Sequence, residues 1–187
     1  MDEHNKLPHT LDATGLKVLF DKKEIESTIQ NLAAQISKDF EDQSLCVIGV
    51  LKGPMIFMAD LVRKIKGVHL QVDFVVLDAI GRNKESAGTI KIVKDISTNV
   101  FDKNILIVEE ILDTGRALHF LIERLKISGA KKVKVVSLLD KTHRRALPLE
   151  VDYCGHKLGD EFALGYGMDL DQYGRNMESI YALKYPN

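Results

Sequence analysis

Two hydrophobic patterns alternate along the chain. The first is a short, nearly continuous apolar run, seen at 45–51 (LCVIGVL), 105–108 (ILIV) and 133–139 (VKVVSLL), with a valine-rich relative at 70–77. Runs of this length suit strands buried on both faces. The second pattern spaces apolar residues three and four apart: Ile25, Ile29, Leu32, Ile36 and Phe40, then Leu118, Leu121, Ile122 and Leu125. That spacing gives a helix one apolar face. Asp21 followed by Glu24 predicts a capping-box start for the first helix. Lys52-Gly53-Pro54 breaks the run before it, and Pro54 suits the first turn of a helix over 54–65. A third helix is predicted over about 115–128, ended by Gly129. Shorter strand candidates lie at 17–20, 90–93, 151–154, 162–164 and 180–183, and polar 81–88 reads as a mobile loop.

Buried runs separated by amphipathic helices predict an α/β fold, with a mainly parallel central sheet flanked by helices. Ligands in such sheets bind beyond the C-terminal ends of the strands. Residues that carry chemistry should therefore follow the apolar runs. A length of 187 residues, without repeats, low-complexity tracts or a Pro/Gly-rich linker, predicts one domain. The net charge of -1 argues against a sequence-neutral nucleic-acid binder. The stretch MDEHNKLPHT is too polar for a secretory signal, and no apolar run is long enough to cross a bilayer. The expectation is a cytoplasmic protein with neither a membrane nor a nucleic-acid partner. Cys46 and Cys154 sit in apolar, strand-like contexts and read as buried free thiols.

The densest chemistry follows 105–108: Glu109-Glu110-Ile111-Leu112-Asp113-Thr114-Gly115-Arg116-Ala117. Three carboxylates in five residues lead into a small-residue turn that opens a helix. The N–H groups of such a turn cradle phosphate, and neighbouring carboxylates suit sugar hydroxyls and a hard cation such as Mg²⁺. A plain acidic turn, with Asp113 or Thr114 capping the helix, is the alternative. It does not explain why paired carboxylates directly follow a wholly apolar strand. No Gly-Lys-Ser/Thr ending marks a Walker loop.

IVEEILDTGRAL resembles the phosphoribosyl pyrophosphate (PRPP) motif of the type I phosphoribosyltransferases. From about Leu16 to Tyr185 the chain resembles the hypoxanthine-guanine phosphoribosyltransferases. The resemblance implies the type I phosphoribosyltransferase fold as a single domain over 1–187. A small hood over the active site would be built from the N- and C-terminal segments. It also implies Mg²⁺-dependent transfer of phosphoribosyl from PRPP to hypoxanthine or guanine, giving IMP or GMP and pyrophosphate, in a homodimer or homotetramer. By the same resemblance Glu109 and Glu110 hold the ribose hydroxyls and approach Mg²⁺, and Asp113 is the general base for the purine N7 proton. Asp113, Thr114, Gly115, Arg116 and Ala117 wrap the 5′-phosphate. Lys52, Gly53 and Arg175 serve the pyrophosphate. Lys141 donates to the purine O6, Phe162 stacks on the base, and Ala163 meets its edge. Asp169 adds a backbone contact to the base and a carboxylate toward a second Mg²⁺. Taken singly, Lys52 and Lys141 read as surface lysines, with His143-Arg144-Arg145 extending a solvated basic stretch, and Phe162 and Tyr166 read as core. Order and spacing along one chain give these pieces their weight.

Three departures stand out. The family's mobile loop carries a Ser-Tyr pair where this chain has Ala79-Ile80. The second acidic residue is Glu110 rather than Asp. Ala117 stands where a Thr hydroxyl is common. Three other readings compete: a xanthine preference, a nucleic-acid-binding regulator on the same fold, and a nucleotide binder without catalysis.

Overall fold

In the computed structural model residues 16–80 and 89–183 are described. The predicted polar loop at 81–88 lies outside them, as do the side chains of Ala79 and Ile80. Nine strands and three α-helices form two sheets among these residues: β1 Leu16–Phe20, α1 Lys22–Asp39, β2 Ser44–Leu51, α2 Met55–Lys64, β3 His69–Ile80, β4 Thr89–Lys94, β5 Asn104–Leu112, α3 Arg116–Ile127, β6 Lys132–Asp140, β7 Tyr153–Lys157, β8 Phe162–Leu164 and β9 Ile180–Leu183. The six-stranded sheet has the order β4-β3-β2-β5-β6-β7. Only β4 runs antiparallel to its neighbour. The three-stranded sheet, β1-β9-β8, joins both ends of the described chain into a small hood.

The apolar runs are buried on both faces, as predicted. Leu45 and Val47 of β2, with Leu106 and Val108 of β5, pack against α1 and α2 through Ile25, Ile29, Leu32, Ile36, Phe57 and Leu61. Their sequence neighbours Cys46, Ile48, Ile105 and Ile107 face Leu118, Leu121 and Leu125 of α3. Each such side chain, fully buried, contributes about 1.5–3 kcal/mol. The capping box forms: Glu24 N–H donates to Asp21 Oδ1 at 2.9 Å, and Asp21 N–H to Glu24 Oε2 at 2.8 Å. No described helix is long and apolar enough to cross a membrane.

Three expectations are corrected. The strand placed at 105–108 extends to Leu112, because β6 continues beside it and pairs Glu109 with Ser137, Ile111 with Leu139 and Leu112 with Asp140. The paired glutamates therefore lie inside the strand, not after it. The strand expected at 151–154 is Tyr153–Lys157. Both cysteines are free, but only Cys46 is buried; Cys154 lies on edge strand β7, which alternates Tyr153 inward and Cys154 outward.

Asp73 ties the β4 exit to β3. Its carboxylate accepts the N–H groups of Phe74, Ser97 and Thr98 at 2.7–2.8 Å and faces the Lys94 ammonium. Burial pushes its pKa upward, but these donors outweigh burial and hold it at about 2. A depressed carboxylate stabilises the fold above its unfolded pKa and loses that contribution as pH falls through the folded value. Asp73→Asn should therefore cost about 2 kcal/mol at pH 7. The cost should shrink as pH falls from about 4 to 2, measured by urea unfolding across that window. An equal cost at pH 7 and at pH 2 would refute the assignment.

Candidate active site

Strand order reverses between β2 and β5, where the chain winds outward in both directions. A crevice at the C-terminal end of a parallel sheet opens at such a point. Gly53 lies just after β2 there, and Glu109 to Leu112 finish β5, with Asp113 next. The approach is close: a Cβ placed on Gly53 would lie 1.7 Å from Glu110 Oε1. Any side chain at position 53 would displace that carboxylate. The Leu51–Lys52 peptide beside it is cis.

Glu109 and Glu110 form a desolvated acidic pair. Burial first, and then the Glu110 charge, push the Glu109 carboxyl well above the usual range. Burial raises Glu110 as well, against the pull of Arg175. Glu110 Oε2 is buried and has no hydrogen-bond partner. A buried, unpartnered carboxylate oxygen is costly, and a cation or a sugar hydroxyl would satisfy it. Among the described residues no three carboxylate, histidine or cysteine side chains converge on a common point. The Asp169 carboxylate is engaged elsewhere: Arg175 Nη2 sits 2.6 Å from its Oδ1, and Gln172 N–H donates to its Oδ2 at 2.8 Å.

After β5 the chain turns at Asp113 and Thr114 into Gly115, which caps α3 with φ +74°. The alternative in which Asp113 or Thr114 caps the helix is not what forms. Glycine tolerates the left-handed backbone needed here, and no side chain caps the helix. The first N–H groups of α3 thus receive no side-chain cap, and with the helix dipole behind them they are suited to an anion. Thr114 and Arg116 are exposed beside them, and Ala117 is half-buried. Arg144 Nε stands 2.9 Å from Asp113 Oδ1, close enough for an ion pair but not aligned as a hydrogen bond.

A cleft of about 210 Å³ lies between this turn and the hood, lined by Glu110, Ile111, Asp113, Lys141, Phe162, Ala163, Met168 and Asp169. Lys141 is no surface lysine. It is 5% exposed, and its Nζ donates to Glu161 O at 2.7 Å. Phe162 is half-buried on β8, and Ala163 is buried beside it. Tyr166 packs in the core, as its composition suggested, and its hydroxyl donates to Asp60 on α2.

At the cleft's other end two cations meet one oxygen. Lys52 Nζ donates to Gln172 Oε1 at 3.1 Å, and Arg175 Nη2 lies 3.4 Å from the same atom. Arg175 Nη1 also donates to Gly167 O at 2.7 Å. Gly167 in turn presses on the loop after β2, since a Cβ there would meet Gly53 O at 2.2 Å. Of the residues expected at a site, Glu110, Asp113, Lys141, Phe162, Ala163 and Asp169 line the cleft. Gly53 abuts Glu110, Arg175 pairs with Asp169, and Lys52 meets Arg175 through Gln172. Glu109 and the residues Thr114 to Ala117 are not part of that lining. Sequence reasoning missed Gln172 and Arg144, and misread Arg145 as solvated. Arg145 is 11% exposed at its side chain and pairs with Asp140. A carboxylate ending an apolar strand, with an arginine five residues on, was the available signal.

The comparisons agree with this geometry. A phosphoribosyl transferase domain model matches residues 16–171. Over 168 residues the chain is 38% identical to the hypoxanthine-guanine phosphoribosyltransferase of Bacillus subtilis, covering 90% of this chain and 93% of that one. A crystal structure of a hypoxanthine-guanine phosphoribosyltransferase from Bacillus anthracis superposes with a TM-score of 0.85 at 38% identity, over 90% of this chain and 98% of that one. A hypoxanthine phosphoribosyltransferase from Staphylococcus aureus superposes with a TM-score of 0.88 at 36% identity, over 93% and 96%. With a parallel sheet, a hood and a phosphate-type turn converging on one crevice, the chain belongs to the phosphoribosyltransferase family, among its hypoxanthine-guanine members.

Proposed function

We propose that the protein salvages purines by moving the phosphoribosyl group of PRPP onto N9 of hypoxanthine or guanine, giving IMP or GMP and pyrophosphate. The observation that carries this reading is the cleft that gathers Asp113, Lys141 and Phe162 together with Glu110. The uncapped N-terminus of α3 takes the 5′-phosphate through the turn from Asp113 to Ala117. Glu109 and Glu110 hold the ribose hydroxyls. The base lies against Phe162, with O6 at Lys141 and its edge at Ala163 and Asp169. Asp113 accepts the N7 proton, which keeps the base electron-rich while N9 attacks the sugar.

Mg²⁺ fits this donor set. Glu110 Oε2 is buried without a partner, and a magnesium site built from one or two carboxylates and completed by substrate oxygens needs no third protein ligand. Glu109 and Glu110 would hold the ion, which supplies charge neutralisation for the departing pyrophosphate. Asp169, which pairs with Arg175 in this structure, would be the carboxylate toward a second ion. The family resemblance further supports a cytoplasmic homodimer or homotetramer.

The test mixes purified protein with PRPP, Mg²⁺ and hypoxanthine, guanine or xanthine in parallel and follows nucleotide formation. Rapid conversion of the first two is expected. PRPP binding without turnover on any 6-oxopurine would overturn the reading, and faster turnover of xanthine would reassign the substrate.

Gln172 gives a directional prediction. Its carboxamide oxygen sits between Lys52 and Arg175, the cations assigned to pyrophosphate, and so competes with that ligand. Gln172→Ala should lower the KM for pyrophosphate in the reverse reaction a few-fold, the net worth of one solvent-exposed hydrogen bond, about 0.5–1 kcal/mol. Gln172→Glu should raise it. Steady-state assays with the nucleotide held saturating decide this, and equal KM values in all three proteins would refute it.

A further inference from the structure

Arg145 is not among the residues that line the cleft and reaches that lining only through the backbone carbonyl of Asp113. Its guanidinium is inserted beneath the turn that follows β5. Nη1 donates to Leu112 O at 3.0 Å and to Asp113 O at 2.5 Å. Nη2 pairs with Asp140 at the end of β6, and the other Asp140 oxygen accepts the Thr142 hydroxyl at 2.8 Å. Both side chains of the pair are about nine-tenths buried. The same segment grips the turn twice more: Lys141 N–H donates to Leu112 O at 2.9 Å, and Ala146 N–H to Thr114 O at 3.0 Å. A Cβ on Gly115 would come within 3.3 Å of Arg145 Cδ, so the arginine stem also packs under the left-handed residue.

These contacts fix direction. In a planar trans peptide the C=O of one residue and the N–H of the next point to opposite sides. Carbonyls 112, 113 and 114 are all drawn toward the segment 141–146. The following N–H groups, those of Asp113, Thr114 and Gly115, are therefore turned away from it. We infer that Arg145, held by Asp140, is a positioning residue that aims the turn's N–H groups at the 5′-phosphate of PRPP and of the nucleotide product. The inference rests on the proposed placement of that phosphate on this turn.

Lysine at position 145 keeps the charge next to Asp140 but lacks the planar fork that spans two carbonyls. Small misplacements of a preorganised site cost up to about 100-fold. Arg145→Lys should therefore weaken IMP binding about tenfold or more while leaving inosine binding unchanged, since inosine lacks the phosphate. The KM for PRPP should rise in parallel with that for hypoxanthine unchanged. Asp140→Asn should shift the same ratio in the same direction, because it releases the guanidinium. Thr114→Val, in the turn itself, is measured alongside by calorimetry with IMP and inosine.

An IMP-to-inosine affinity ratio that falls in Arg145→Lys at an unchanged melting temperature supports the positioning role. IMP and inosine affinities that fall together, with a lower melting temperature, would reduce Arg145 to a fold-supporting residue. If Thr114→Val lowers the ratio and Arg145→Lys does not, the inference fails and the phosphate placement stands. If neither variant moves it, the placement fails too.

Discussion

Asp113→Asn should lower turnover by roughly 10²- to 10⁴-fold, the usual worth of a positioned general base, while IMP affinity changes little. Asparagine preserves the size of the side chain and its neutral contacts but cannot take the N7 proton. The surroundings of Asp113 favour a base over a structural carboxylate. It lines the cleft, it does not cap α3, and the Arg144 guanidinium beside its carboxylate approaches Oδ1. Rapid-quench kinetics should place the loss in the chemical step, and calorimetry with IMP should show near-native binding. A variant with native turnover would remove Asp113 from the role of base.

The second large effect is expected at Lys141. An ammonium carries three donors, and Glu161 O accepts one of them; the remaining donors have the cleft, where an oxygen at purine C6 would accept. Lys141→Met should reduce kcat/KM for hypoxanthine and guanine about 10- to 100-fold, the value of a buried hydrogen bond from a charged group. The fold should survive, because an apolar chain of similar length replaces a desolvated cation. Adenine presents an amino donor at the same place and gains nothing from Lys141, so discrimination against it should narrow in the variant. The measurement is kcat/KM for the three bases. A hypoxanthine value within threefold of wild type would sink the assignment.

Much of this was legible in the sequence, and the reasons are local. The helices announced themselves because Ile25 to Phe40 and Leu118 to Leu125 repeat at the helical period, and because Asp21 and Glu24 stand three apart. The core strands were readable because both their faces are buried, which leaves continuous apolar runs. The end of β5 was not readable. Charged residues inside a strand look like a strand's end, and only the ladder with β6 reveals that Glu109 and Glu110 are paired backbone. The helix cap was not readable for a similar reason: Asp and Thr are ordinary caps, whereas a glycine cap is recognised by its φ. The cleft residues were found by their order along the chain. Arg145 was lost because a run of basic residues reads as solvated, and its burial depends on a carboxylate exposed to view only once β6 and the turn after β5 lie side by side. Gln172 was lost because a carboxamide carries no motif; its meaning comes from two cations that fold onto it from distant segments.

The hood pairs Leu16–Phe20 with Ile180–Leu183. During synthesis the first of these strands leaves the ribosome early and has no partner until nearly the whole described chain has been made. The six-stranded sheet and its phosphate turn can assemble from β2 through β7 meanwhile, because domains consolidate as the chain emerges. The three-stranded sheet is therefore completed only after the six-stranded one, when β9 emerges to join β1 and β8. A chain halted before residue 180 would carry the full IVEEILDTGRAL segment and Phe162, yet leave β1 and β8 without the strand that both pair with.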